Sequence, residues 1–175
     1  MKIFVVILNW NQPKLTTETV ESVKKLKYEK GTDLRIVVVD NGSTDNSVEQ
    51  FRKLKGIQLL TSVKNLGFAE GNNLGIKHAL DRDADFVLVL NNDTEVDKNL
   101  IIELLKPMKD EKVAVTSPKI YFAKGYEFHK EKYKKNELGK VLWYAGGKID
   151  WKNIKGHIWK KESRKSPLEL VETQL

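Results

Sequence analysis

Asp85-Phe86-Val87-Leu88-Val89-Leu90-Asn91-Asn92-Asp93-Thr94-Glu95 is the stretch on which the reading of this chain turns. The unbroken apolar run Phe86 to Leu90 predicts a strand covered on both faces, and it leads straight into a polar turn. In open parallel sheets ligands bind beyond the carboxyl ends of the strands, so Asp93 stands at a favourable address. An oxygen-rich turn with one carboxylate suits magnesium or manganese, which take few protein carboxylates and complete their shell with water and phosphate. Asn91, Asn92, Asp93 and Thr94 equally suit the cap of a helix starting near Asp97, because these residue types favour turns and helix starts.

Working outward, apolar runs alternate with amphipathic stretches at α/β spacing. Strands rich in β-branched residues are expected at Ile3 to Leu8, Leu34 to Val39, Ile57 to Thr61, Phe86 to Leu90 and Val113 to Thr116. A helix begins at Pro13, a favoured first helical position, with Leu15, Thr19, Val23 and Leu26 on one face. A second follows the capping candidates Ser43, Thr44 and Asp45 and carries Val48, Phe51 and Leu54. A third is expected over Glu70 to Leu80, and a fourth from Asp97 with Leu100, Ile101, Leu104, Leu105 and Met108 as its apolar stripe. Strand-helix units in succession predict an α/β Rossmann-like sandwich, with a mainly parallel sheet and right-handed crossovers.

Three more polar clusters fall where such a sheet has its carboxyl edge. They are Leu8-Asn9-Trp10-Asn11, Asp40-Asn41-Gly42-Ser43 and Asn65-Leu66-Gly67-Phe68. Asp40, directly after a Val-Val-Val strand and before Asn-Gly, is placed to accept hydrogen bonds from a nucleobase or ribose while Gly42 turns the backbone tightly. A helix cap is the plainer role for Asp40. Gly67, Gly71 and Gly75 recur every four residues, and at least Gly71 and Gly75 share a helix face that can approach the sheet closely.

After Pro118 the pattern changes. Lys119 to Lys140 is charged and irregular, and Val141 to Ile149 with Ile154 to Lys160 predicts an appended C-terminal β-hairpin around Gly146, Gly147 and Gly156. Its aromatics Trp143, Tyr144, Trp151 and Trp159 suit either a sugar-stacking surface or cross-strand packing. The expected division is therefore 1–118 as an α/β ligand-binding domain and 119–175 as an appended basic, aromatic-containing region.

The net charge of +7 lies in that second region: residues 119–165 hold 14 Lys and Arg against 5 Asp and Glu, whereas residues 1–118 hold 17 of each. Such a segment suits an anionic lipid surface or a diphosphate. Nucleic acid is not expected, since no aromatic-rich recognition motif accompanies the charge. With no cysteine, disulfides, thiolate zinc sites and cysteine nucleophiles are excluded, and His78, His129 and His157 have no metal-ligand spacing. The apolar stretch Ile3 to Leu8 is too short for a signal peptide core or membrane span, so a cytoplasmic protein, peripheral at most to the inner membrane face, is expected. A P-loop, a Gly-x-Gly-x-x-Gly dinucleotide turn and a Gly-x-Ser-x-Gly elbow are all missing, which leaves a nucleotide site with a divalent metal.

Four motifs in order resemble glycosyltransferase family 2, with the GT-A nucleotide-sugar fold, and within it the rhamnosyltransferase-like branch. They are Val5 to Asn11, Val37 to Asp45, Asn65 to Gly75 and Leu90 to Thr94. The resemblance implies that Leu8, Asn9, Trp10, Asn11 and Asp40 hold base and ribose, with Asn41 and Gly42 beside them in the nucleotide site. It implies that the Asn72-Asn73 region approaches the donor diphosphate, with Asn65 and Gly67 also in the nucleotide site, and that Asn91, Asn92 and Asp93 stand at the family's Asp-x-Asp metal motif. Asn91 replaces the first aspartate of that motif, leaving Asp93 as its carboxylate, and Asn72 stands where many members carry a basic residue.

The expected function is donor binding in a metal-dependent inverting transfer. The donor would be a UDP- or dTDP-sugar with Mg or Mn, and the acceptor a polysaccharide or lipid-linked saccharide of the cell envelope, with peripheral contact to an anionic membrane. The family's Glu-Asp base motif does not occur, so the catalytic residue is unassigned and the chain is expected to be truncated before its acceptor-side segment. The alternative is a non-catalytic nucleotide-binding or interaction module on a GT-A-like fold.

Overall fold

A computed structural model of the chain describes residues 1–150, 152, 153 and 155–158. It forms two compact units, Met1–Ile102 and Glu103–Leu175. In the first, strands β1 (Lys2–Asn9), β2 (Asp33–Asp40), β3 (Ile57–Thr61) and β4 (Phe86–Asn91) alternate with helices α1 (Pro13–Val23), α2 (Ser47–Lys53) and α3 (Gly67–Leu80), and α4 (Leu100–Leu105) follows. The sheet order is β3-β2-β1-β4, and every pairing is parallel. This is the expected α/β sandwich.

Hydrophobic patterning explains the layers. The central strands β1 and β2 bury both faces, as their continuous apolar runs require. Phe4, Val6, Val37 and Val39 form one core with Ala79 of α3. The alternating set Ile3, Val5 and Ile7 is buried as well, as are Val20 and Val23 of α1 and Phe51 of α2. The edge strand β4 is only half covered, with Val89 at 42% exposure, so its apolar run is less buried than predicted.

Gly71 and Gly75 let α3 lie close to the sheet. A Cβ at Gly75 would sit 2.3 Å from Val6 Cγ1 and 3.0 Å from Val39 Cγ2, and one at Gly71 would sit 2.7 Å from Leu8 Cδ1. The glycine spacing is therefore a packing device. Register completes the site's frame: Asn9 pairs with Asp40, Leu8 with Asn91, and Asp40 with Thr61, so the polar strand ends finish at one edge.

Several expectations are corrected. Val113 to Thr116 is not a strand; it pairs with no strand among the described residues, the Val113 amide closes a turn on Asp110 and Thr116 Oγ1 donates to Leu104 O. Leu15 is exposed, and α1 instead buries Thr16, Thr19, Val20, Ser22 and Val23, because its inner face meets polar strand ends as well as the core. Helix α3 begins at Gly67, three residues earlier than expected.

In the second unit β5 (Ile120–Tyr121) pairs antiparallel with β6 (Leu142–Tyr144), and β7 (Gly147–Asp150) with β8 (Lys155–Ile158). The hairpin is therefore β7-β8, while Leu142 to Tyr144 belongs to a different ribbon. Trp143 is exposed and Tyr144 half-buried, whereas the expectations for Trp151, Ile154, Trp159 and Lys160 fall outside the described residues.

Candidate functional site

A fully buried asparagine organises the carboxyl edge of the sheet. Asn9 Nδ2 donates to Asp40 Oδ2 at 2.9 Å and to Ser43 Oγ at 3.1 Å, while its Oδ1 accepts from Thr16 Oγ1 at 2.7 Å. Asp40, 1% exposed, also accepts the Ser43 amide on Oδ1 at 3.0 Å. Ser43 Oγ takes a second donor, the amide of Asn11, at 2.9 Å, and Asn11 holds a left-handed φ of 53° while its Oδ1 accepts the Thr44 amide. Asp45 accepts the Ser47 amide just before α2, whereas the N-cap position is Asn46, whose side chain makes no capping bond; neither Ser43 nor Asp40 caps the helix. Sealing donors and acceptors against one another makes this buried polar cluster tolerable, since a buried group without its partner costs about 1–3 kcal/mol.

Asn41 repeats the arrangement toward the next strand. It is 2% exposed; its Nδ2 donates to Asn65 Oδ1 at 3.1 Å and Gly67 O at 3.0 Å, and its Oδ1 accepts the Leu66 amide at 3.0 Å. Asn65 Oδ1 also accepts the Gly67 amide at 2.7 Å. Gly42 has φ 72°, and a Cβ there would lie 2.4 Å from the carbonyl carbon of Lys64, so two turns touch backbone to backbone where no side chain fits.

The turn after β4 is tied to α1 through alternate residues. Asn92 Nδ2 donates to Gln12 Oε1 and Thr16 Oγ1, each at 3.1 Å, and Thr19 Oγ1 donates to Asn92 O at 2.7 Å. With Asn92 anchored, its neighbours Asn91 and Asp93 are exposed. Asp93 makes no hydrogen bond or ion pair among the described residues and caps nothing; Asp97 accepts the Asn99 amide at the entrance to α4. The capping role considered for residues 91–94 therefore belongs to Asp97.

These elements enclose a cleft of about 390 Å³, within the size range of small-ligand sites. Leu8, Trp10, Asn41, Asn65 and Gly67 line it on one side of the expectation, with Asn91, Asn92 and Asp93 contributing the β4 turn. Gln12 and Phe68 line it too, and were not among the expected site residues. Trp10 is 53% and Phe68 65% exposed, so two aromatic faces are open beside a set of amides. Among the described lining residues Asp93 is the one charged group.

Asn9, Asn11, Asp40 and Gly42 are outside the lining and stand behind it, as parts of the network that holds the wall. Asn72 is buried, with Nδ2 donating to Phe68 O at 2.8 Å and Oδ1 lacking a partner, and Asn73 is on the exposed side of α3. Neither lines the cleft. Thr19 was read as a helix-face residue and Ser43 as a capping one, and Thr16 was not singled out; the signal for the two threonines was a hydroxyl stripe on a helix face that also carries core residues.

No group of three or more His, Cys, Asp or Glu side chains gathers into a metal cage among the described residues. An exposed, unpartnered carboxylate beside an amide and an open cleft nevertheless fits magnesium or manganese, which take one or two carboxylates plus substrate phosphates.

The profile of the family described as Glycosyl transferase family 2 matches residues 4–164. The chain is 34% identical over 106 residues to the low-salt glycan biosynthesis hexosyltransferase Agl10 of Haloferax volcanii, a match covering 60% of this chain and 34% of that protein. It is also 34% identical over 103 residues to the poly-beta-1,6-N-acetyl-D-glucosamine synthase of Staphylococcus aureus, covering 57% of this chain and 24% of the synthase. This chain thus spans about a third or less of the lengths of these relatives. Among solved structures, S. aureus TarS 1-349 in complex with UDP superposes with TM-score 0.52 at 28% identity, over 64% of this chain and 33% of that one. The mannosyltransferase PcManGT of Pyrobaculum calidifontis, in complex with GDP-Man and Mn2+, gives TM-score 0.57 at 21% identity, over 63% and 33%, a likeness of fold.

Proposed function

The chain belongs to glycosyl transferase family 2 and has its GT-A fold, and from that premise we propose that the cleft binds the nucleoside diphosphate of an activated sugar. The observation that carries this reading is the open edge itself, where Trp10 and Phe68 offer aromatic faces, buried amides fix the wall and Asp93 points an unpartnered carboxylate into the cleft. The solved relative TarS was obtained with UDP and with UDP-GlcNAc, which supports a nucleotide-sugar donor.

In this reading the base stacks on Trp10, and Asn9 and Asn11 keep the wall in place through Ser43. Asp40, buried behind the wall, accepts from Asn9 Nδ2 and the Ser43 amide and so holds in place the strand ends that the nucleoside meets. Asn72 and Asn73 lie on the α3 side, toward the diphosphate. Asp93 holds magnesium or manganese, and Asn91 adds an amide oxygen. When bound, the metal supplies Lewis-acid stabilisation of charge developing on the departing diphosphate. No cationic side chain lines the cleft among the described residues, so this counter-charge matters more than in a site with its own lysine or arginine.

We assign donor binding to residues 1–118 and acceptor contact to the appended basic region. The whole protein then carries out inverting transfer to a polysaccharide or lipid-linked acceptor of the cell envelope, from the cytoplasmic side of the membrane. No helix among the described residues is long and apolar enough to cross a membrane. Inversion needs a general base near the attacking hydroxyl. Among the described residues Asp93 is the one carboxylate lining the cleft, which favours, as a second reading, a nucleotide-binding module without transfer.

Thermal melts with UDP, dTDP and GDP, each with manganese or magnesium, test the donor site. At about a hundred times its dissociation constant the fitting nucleotide adds roughly 2.7 kcal/mol; no shift with any of them, on folded protein, refutes it. Assay of transfer by the whole protein then separates enzyme from module.

A further inference from the structure

One carboxylate outside the cleft does structural work with an outward consequence. Glu127 is 4% exposed in the Lys-rich loop between β5 and β6. Its Oε2 accepts the Gly125 amide at 2.8 Å and its Oε1 accepts the Gly139 amide, so one side chain clamps both arms of the loop. The loop's neck is closed by the Phe122 amide donating to Val141 O at 2.9 Å. Lys124 stands beside Gly139, 3.3 Å from where a Cβ would be.

With Glu127 turned inward, the residues on either side of it face out: Tyr126 is 80% and Phe128 71% exposed. Phe128 is braced edge-on against Phe122, with ring centroids 5.1 Å apart at 72°. Around them, residues 119–140 hold seven lysines against three glutamates, and one of the three is the buried Glu127. Projecting aromatics in a field of lysines match the chemistry of an anionic bilayer surface, where amphipathic rings settle at headgroup level and lysines attract lipid phosphates.

We propose that this loop docks the protein on an anionic membrane, with Tyr126 and Phe128 entering the headgroup region and Lys124, Lys130, Lys134 and Lys135 meeting phosphates. This deepens the membrane side of the proposed function and rests on that reading. Glu127 is the positioning residue that presents the aromatic pair.

Co-sedimentation of the full chain with vesicles tests it, comparing pure phosphatidylcholine with an equal mixture of phosphatidylcholine and phosphatidylglycerol. Binding is expected to the mixture alone and to be lost in molar salt, where the Debye length falls to about 3 Å. Tyr126→Ser/Phe128→Ser is expected to lower partitioning at least tenfold, and Lys134→Glu/Lys135→Glu to lower it further, each lysine contributing roughly fivefold. Both variants must keep the wild-type melting shift with nucleotide and manganese, which separates failure of the loop from failure of the donor site. Equal binding to both vesicles, no binding to either, indifference to the aromatic substitutions, or competition by RNA that displaces vesicles overturns the proposal.

Discussion

Replacing Gly75 by alanine sets two known effects against each other. Alanine in a helix interior is favoured over glycine by about 1 kcal/mol. In α3 the new methyl would lie 2.3 Å from Val6 Cγ1 and 3.0 Å from Val39 Cγ2. Both valines are fully buried and β-branched, so neither can rotate aside without a second clash. Overpacking of such a site costs roughly 1–3 kcal/mol, and a contact this short belongs at the upper end. The net expectation is a loss of about 2 kcal/mol, or roughly 4–8 °C in melting temperature for a chain of this size. Asn73→Ala, on the exposed face of the same helix, is the control and should gain a few tenths of a kcal/mol. Urea unfolding followed by circular dichroism measures both. A neutral or stabilising Gly75→Ala would refute the claim that the glycine spacing sets the helix-to-sheet distance.

Asp93→Asn should reverse sign with conditions. In chelator it strengthens nucleoside diphosphate binding by removing the negative charge that Asp93 brings to the cleft; with manganese it weakens binding at least tenfold, about 1.4 kcal/mol, as read by calorimetric titration. Asp40→Ala strips the buried Asn9 Nδ2 and Ser43 amide of a shared acceptor and should destabilise by about 3 kcal/mol, weakening nucleotide binding with or without metal; a stable variant would show the network to be dispensable. Burial raises the Glu127 pKa, but the amides of Gly139, Glu127 itself and Gly125 outweigh it and hold the carboxyl below its ordinary value. Its contribution is therefore full above the unfolded value, about 4.3, and is lost as pH falls through the lowered folded one; amide exchange at Gly125 and Gly139, followed across that window, should lose its protection in wild type and not change further in Glu127→Gln.

The parallel sheet was legible because strand runs of β-branched residues and helices of 3.6-residue period leave few alternative architectures, and the strand-end clusters followed from that sheet. What escaped was tertiary. Val113 to Thr116 has strand composition but pairs with no strand among the described residues. Leu15 outranked Thr16 by hydrophobicity, yet Thr16 is the residue inside, because Asn9 and Asn92 need its hydroxyl. Asp40 was read as a ligand contact from its position at a strand end and Asn9 from the family resemblance; the same positions let the two side chains hydrogen-bond to one another. Phe68 and Gln12 line the cleft only because α3 begins early and α1 starts beside the β4 turn, neither of which a local pattern reveals.

Crystals soaked with manganese and the nucleoside diphosphate that raises the melting temperature most, measured at the manganese absorption edge, test the central claim directly. One anomalous peak is expected at roughly 2.1 Å from an Asp93 carboxylate oxygen, with the diphosphate completing its shell and the base against Trp10. Manganese held elsewhere, or nucleotide density outside the cleft between Trp10 and Asp93, would contradict it.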